Sequence, residues 1–217
     1  MKRLFFVFVM IICVMAVNAQ VVEKTFADLK NEGNAAIKVK DFPKALDLYE
    51  QALIKNGDKP LADTTMIFNM GYCAFNAKNY DKALKYFTQS FTENHLKVSS
   101  LLFKSDTYKA LKNDAESLKT LEEALAVAPN DAKVKGKLAA YYVKGATASY
   151  SKGSDIINKA NAEVAAKKIN DAAYKIALAS AAVEFKKSMP LIEKALSFDP
   201  NNNTAKSLKA ACTEALK

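Results

Sequence analysis

The chain has 217 residues, half of them hydrophobic, and a formal net charge of +9 at pH 7. That length suits one ordinary domain or one compact repeat array, and the apolar content excludes a disordered chain. Lysine carries the positive charge, since Arg3 is the only arginine; base or phosphate recognition through a bidentate guanidinium fork has almost nothing to work with, and no nucleic-acid partner is predicted.

The first element is MKRLFFVFVMIICVMAVNAQ: two cations, an apolar run of 14 residues from Leu4 to Val17, then the small-x-small pattern Val17-Asn18-Ala19. Residues 1–19 read as a secretory signal peptide, cleaved between Ala19 and Gln20. As a helix the run would rise about 21 Å, short of the roughly 30 Å hydrocarbon core, which argues against a retained anchor. Lipidation at Cys13 is the remaining alternative, disfavoured by the bulky Ile12 before it. Loss of Lys2 and Arg3 reduces the 32 basic residues to 30 lysines, against 23 acids. This charge reads first as a solvated lysine surface and second as attraction to acidic partners or anionic surfaces. No later stretch is long and apolar enough to span a bilayer, so no integral membrane segment is predicted after cleavage.

The chain then repeats itself. Residues 41–53, DFPKALDLYEQAL, return 38 residues later as NYDKALKYFTQSF, and a third copy follows after another 34. Small residues stand at Ala45, Ala83 and Ser117, each followed four positions on by Tyr49, Phe87 or Leu121, and three further by Ala52, Ser90 or Ala124. Twelve residues upstream of each first member stand Gly33, Gly71 and Ser105. Small residues recur where two helices approach closely, and large ones fill the holes beside them. Asp41 and Asn79 fall in turns between helices, and Pro43 lies early in a second helix, where its missing N–H costs nothing. One such hairpin cannot bury its apolar face alone, so the units must stack.

These residues resemble the tetratricopeptide repeat, a helix-turn-helix unit of about 34 residues. The first-helix pattern appears as Leu29, Glu32-Gly33 and Ala36; as Ile67, Met70-Gly71 and Ala74; and as Leu101, Lys104-Ser105 and Tyr108, with Ala128-Pro129-Asn130-Asp131 closing the third unit. The resemblance implies an all-α, right-handed superhelical array. Within residues 20–131 it places three units, at about 26–57, 64–97 and 98–131.

Residues 132–217 are predicted to form a degenerate fourth unit with a long helical insertion and a C-terminal capping helix. KLAAYYVKG (137–145) fits its first helix, and SYSKGSD (149–155) is expected to break the chain. From Ile156 to Phe198 there is no glycine and the only proline is Pro190, which predicts one long helix or two abutting ones, bent near Pro190. TAKSLKAACTEALK supplies the cap.

Chemistry is scarce. His95, the only histidine, reads as a solvated surface residue, and no cysteine or histidine pair has metal-ligand spacing. The six glycines form no phosphate-cradling cluster. No cofactor and no enzymatic activity are predicted. Cys73 and Cys212, separated by about two stacked units, are expected to remain buried and unpaired. Asn202-Asn203-Thr204 and Asp63-Thr64-Thr65 could be glycosylation acceptors or chance matches.

Binding remains. The resemblance places first helices on an inner surface, where peptide-tail binders of the family hold a carboxylate with Lys and Asn side chains. Lys30, Asn34 and Asn69 match three clamp positions, whereas Ser99 and Phe103 occupy the other two, so the clamp is incomplete. Phe68, Tyr72 and Phe75 share one helical face, either buried in the core or turned to the groove as aromatic anchors. The sequence thus predicts a periplasmic scaffold for a protein or peptide partner, its groove formed by Lys30, Asn34, Phe68, Asn69, Tyr72 and Phe75. The alternative is a permanently docked subunit of an envelope assembly. Intact-mass measurement of protein from its native compartment checks the first step. The expected chain starts at Gln20, with or without cyclisation of that residue, whereas a diacylglyceryl mass on a chain starting at Cys13 would contradict it.

Overall fold

The computed structural model describes residues 23–57, 59–61 and 64–217, so the leader reading, Cys13 and Asp63 lie outside the described residues. Among these residues there are nine α-helices and no strand: α1 (Phe26–Lys38), α2 (Phe42–Asn56), α3 (Thr65–Asn76), α4 (Tyr80–Thr92), α5 (Lys97–Ala110), α6 (Asp114–Val127), α7 (Ala132–Ala165), α8 (Asp171–Phe198) and α9 (Asn203–Ala215). They pack as successive antiparallel pairs, α1 on α2, α3 on α4, α5 on α6 and α7 on α8, with α9 against the last pair.

One turn is used three times. Lys40, Lys78 and Lys112 each adopt positive φ, near 60°, and the following Asp41, Asn79 and Asn113 cap the next helix. The backbone N–H of each cap residue reaches back to close the preceding helix, at Ala36, Ala74 and Tyr108, over 2.8 to 2.9 Å. Its side chain meanwhile accepts from the N3 backbone of Lys44, Lys82 or Glu116. One short polar residue therefore ends one helix and starts the next, which fixes the angle between them.

Within the first two pairs a residue without a Cβ meets an aromatic ring. A methyl group placed on Gly33 would lie 2.7 Å from the Tyr49 ring, and one on Gly71 2.7 Å from the Phe87 ring. In the third unit both partners change together. Leu121 replaces the ring, and Ser105 uses the space released to donate to the Ser117 carbonyl at 3.0 Å.

The fourth pair corrects the sequence reading. SYSKGSD does not break the chain: α7 continues through it for 34 residues, and the turn comes at residues 166–170. Gly153 is a contact residue, not a breaker. Its added methyl would lie 2.6 Å from the Phe185 ring, so it repeats the Gly33 and Gly71 contact on a longer hairpin. Ser188 Oγ donates to the Ala146 carbonyl at 2.9 Å, and Tyr142 stacks on Phe198, closing the base of the same pair. α8 runs through Pro190, which is exposed, so water can satisfy the carbonyl left without its helical N–H.

The core divides into two clusters, one from Leu29 to Phe87 and one from Leu101 to Cys212. Cys73 and Cys212 are buried free thiols, one in each cluster, as the stacking predicted.

Two tests follow from this packing. Gly71→Ala should destabilise the fold by about 1–3 kcal/mol, because the Phe87 ring is fully buried and has nowhere to move. Gly136→Ala should stabilise by about 0.5–1 kcal/mol, since that glycine is exposed with no atom within 4 Å of the added methyl. Thermal or denaturant melts of both variants separate close contact from helix propensity. The second test is alkaline. Burial pushes the Cys73 thiol from 9.0 up to about 12, so between those values the unfolded chain releases a proton that the folded chain keeps. Stability should therefore fall as pH rises above 9, and Cys73→Ala should show a smaller fall between about pH 9 and pH 12 in denaturant titrations.

Candidate peptide-binding groove

The first helices of successive pairs, α1, α3 and α5, stand side by side and enclose an open cleft of about 550 Å³. Its walls are Asn34, Ile37 and Lys38 from α1, Phe68, Asn69 and Tyr72 from α3, and Phe103 from α5. The repeat brings these residues together: Asn34 and Tyr72 hold one position of the unit, as do Asn69 and Phe103.

Phe103 is the hub. Its ring stacks on Phe87 at 5.4 Å and meets Phe68, Tyr72 and Phe75 at 5.6 to 6.0 Å in T-shaped contacts. Phe42 closes on the far side of Tyr72 at 5.7 Å. Edge-to-face pairs of this kind hold each ring in one orientation. Phe68 and Tyr72 are half-buried, packed against the core below while lining the cleft above, so the core and groove readings describe two sides of the same rings.

Of the six residues predicted for the groove, Asn34, Phe68, Asn69 and Tyr72 line the cleft. Phe75 instead packs against Phe103 and Tyr80, and Lys30 lies outside the lining residues. Asn34 accepts a 2.6 Å hydrogen bond from the Tyr49 hydroxyl, which ties its carbonyl to the second helix. Sequence reasoning missed Ile37, Lys38 and Phe103. Ile37 is within reach of the sequence, since it stands one repeat before Phe75; Phe103 stands at a clamp position, and its contacts with rings of the preceding unit are not legible from that pattern.

Further along, the chemistry changes from aromatic to ionic. Asp106, one repeat after Tyr72, pairs with Lys137 of α7 at 2.6 Å, and Asp114 pairs with Lys144 at 2.8 Å. Together with Lys109 and Tyr141 these side chains line a small polar cleft between α5, α6 and α7. The Lys144–Asp114 pair is solvent-exposed and adds little to stability, whereas the Lys137–Asp106 pair is half-buried.

Elsewhere the chemistry is sparse. Among the described residues no group of His, Cys, Asp and Glu is arranged to hold a metal, and no helix is long and apolar enough to cross a membrane. His95 departs from its predicted place. It follows α4 and is half-buried, and its Nε2 is buried with no hydrogen-bond partner among the described residues. Asn202 of the glycosylation-like motif is the N-cap of α9: its side-chain oxygen accepts from the Ala205 backbone, and its side-chain nitrogen donates to Asp199.

No curated protein matches the sequence. The tetratricopeptide repeat profile matches residues 64–94 and 98–131. Among solved structures the chain is similar to a TPR repeats protein of Bacteroides fragilis NCTC 9343, at 24% identity and a TM-score of 0.53, covering 88% of this chain and 99% of that one. It is also similar to MamA from Desulfovibrio magneticus RS-1, at 14% identity and a TM-score of 0.50, covering 89% of this chain and 96% of that one. At these identities the likeness is one of fold: a superhelical stack of paired helices. Two stretches of the chain, residues 64–94 and 98–131, are thus similar to tetratricopeptide repeats.

Proposed function

We propose that the chain is an exported, non-catalytic scaffold of the bacterial cell envelope, periplasmic in location, that holds a peptide segment of another protein in the cleft between α1, α3 and α5. The observation that carries this reading is that Phe68 and Tyr72, each held edge-to-face by Phe103, line the open cleft with Asn34 and Asn69 beside them. Rigid aromatic rings offer a ligand large apolar contact at little entropic cost, and neighbouring amides can pair with an extended backbone. Export rests on the leader-like residues 1–19.

Peptides selected by display against the whole chain supply the ligand, and calorimetry supplies the affinity. Tyr72→Ala should weaken binding by about 1–3 kcal/mol with a small change in melting temperature. Phe75→Ala, which removes a ring from beneath the cleft, should cost more stability than affinity. Selected peptides that bind Tyr72→Ala as tightly as the unaltered chain would place binding elsewhere.

A further inference from the structure

The α7–α8 pair is more than twice as long as the others, at 34 and 28 residues against 12 to 15 for the helices of the first three pairs. Its distal half therefore projects beyond the stack, and in that half α8 carries two apolar faces. The inner face, with Ala181, Phe185, Ser188 and Ile192 at alternating spacings of four and three, is buried against α7. Ala172, Ile176, Ala179 and Val183 follow the same four-three-four spacing on the opposite side of the helix, and all four are exposed. Ile176 is 68% exposed and Val183 51%.

A stripe with this rhythm is shaped for another helix lying along it, because alternating spacings of three and four keep one seam in contact with a helical neighbour. Its edges state the charge of that neighbour. On a helical wheel Lys175 and Lys186 border one side of the stripe; neither makes an ion pair among the described residues, and both are exposed. Lys187 borders the other side and is paired with Glu184 at 2.5 Å, while the Glu184 side chain is only 18% exposed. The turn at the tip adds Lys167 and Lys168. A second copy running antiparallel would bring Lys175 of one chain towards Lys186 of the other, so like charges oppose self-pairing.

We infer that the outer face of α8 docks an amphipathic helix of an acidic partner protein, its apolar seam on Ile176 and Val183 and its carboxylates against Lys175 and Lys186. This surface is separate from the α1–α3–α5 cleft and does not depend on the use of that cleft.

The probe is a synthetic, cross-linked helical peptide with leucines at heptad seam positions and glutamates flanking them, labelled for fluorescence anisotropy; its counterpart carries lysines at the flanks. The whole chain should bind the glutamate peptide saturably and the lysine peptide at least about tenfold more weakly, with the preference shrinking as salt rises. Ile176→Glu with Val183→Glu should abolish binding, and Tyr72→Ala should leave it unchanged. Lys175→Glu with Lys186→Glu should reverse the preference, so that the lysine peptide now binds. The four replaced side chains of α8 are exposed, and melting curves that overlay the unaltered chain show that the fold survives. Absence of binding to either peptide, or binding that survives the stripe variants, overturns the inference. So does dimerisation seen by sedimentation and lost with the stripe variants, which would make the seam a self-association surface. Attachment to vesicles rich in anionic lipid, lost in the same variants while the glutamate peptide fails to bind, would assign the face to a membrane and equally overturn it.

Discussion

The contact on which this molecule depends is the meeting of a helix that lacks a side chain at one point with a ring from the helix that follows it. Gly33 with Tyr49, Gly71 with Phe87 and Gly153 with Phe185 set the closeness of three of the four helix pairs. The face of the first helix turned from its partner is then available to face the first helix of the next unit. A bulkier residue at the glycine would push the pair apart and tilt that face. The cleft is therefore an indirect product of contacts made on the opposite side of the same helices.

The third unit shows how far the scheme bends. With Leu121 in place of a ring, the first helix can carry a hydroxymethyl group at Ser105, and the buried polar atom is satisfied locally by Ser117. The same unit changes the chemistry of the inner surface. Phe103, at a position that the resemblance gives to a carboxylate clamp, instead gathers four neighbouring rings, of which Phe68 and Tyr72 line the cleft. Beyond it, at Asp106 and Lys137, the surface becomes ionic. A ligand lying along the array thus meets apolar rings near the second unit and paired charges near the fourth.

The register of the first three units was legible because their small residues are fixed by geometry: only a narrow set of side chains fits where backbones approach, so Gly33, Gly71 and Ser105 mark the repeat however much their surroundings vary. What a single sequence does not carry is depth. The helical pattern shows which side of α3 bears Phe68, Tyr72 and Phe75, but whether a ring lies above or beneath a neighbour depends on Phe103, which arrives from a different unit. The misplaced break at residues 149–155 has a related cause. Gly and Ser lower helix propensity, and read locally they suggest a turn, yet tertiary packing on Phe185 outweighs that local preference of about 1 kcal/mol. The residues that form the turn, at 166–170, are no richer in breakers; the chain turns there because Lys167 takes up positive φ and Asn170 caps the next helix.

The length of α7 has a mechanical consequence. A straight helix of 34 residues is a rod of about 51 Å, and its partner α8 braces it for most of that span. One end is embedded in the stack through Val134, Leu138 and Tyr142, beside the polar cleft bridged by Lys137 and Lys144; the other end stands clear. Turned as a rigid body, such a hairpin would pivot among those ion pairs. Each degree of rotation there would move the tip by roughly 0.6–0.7 Å, so adjustments too small to disturb the inner surface would reappear, magnified, at the lysines of the tip.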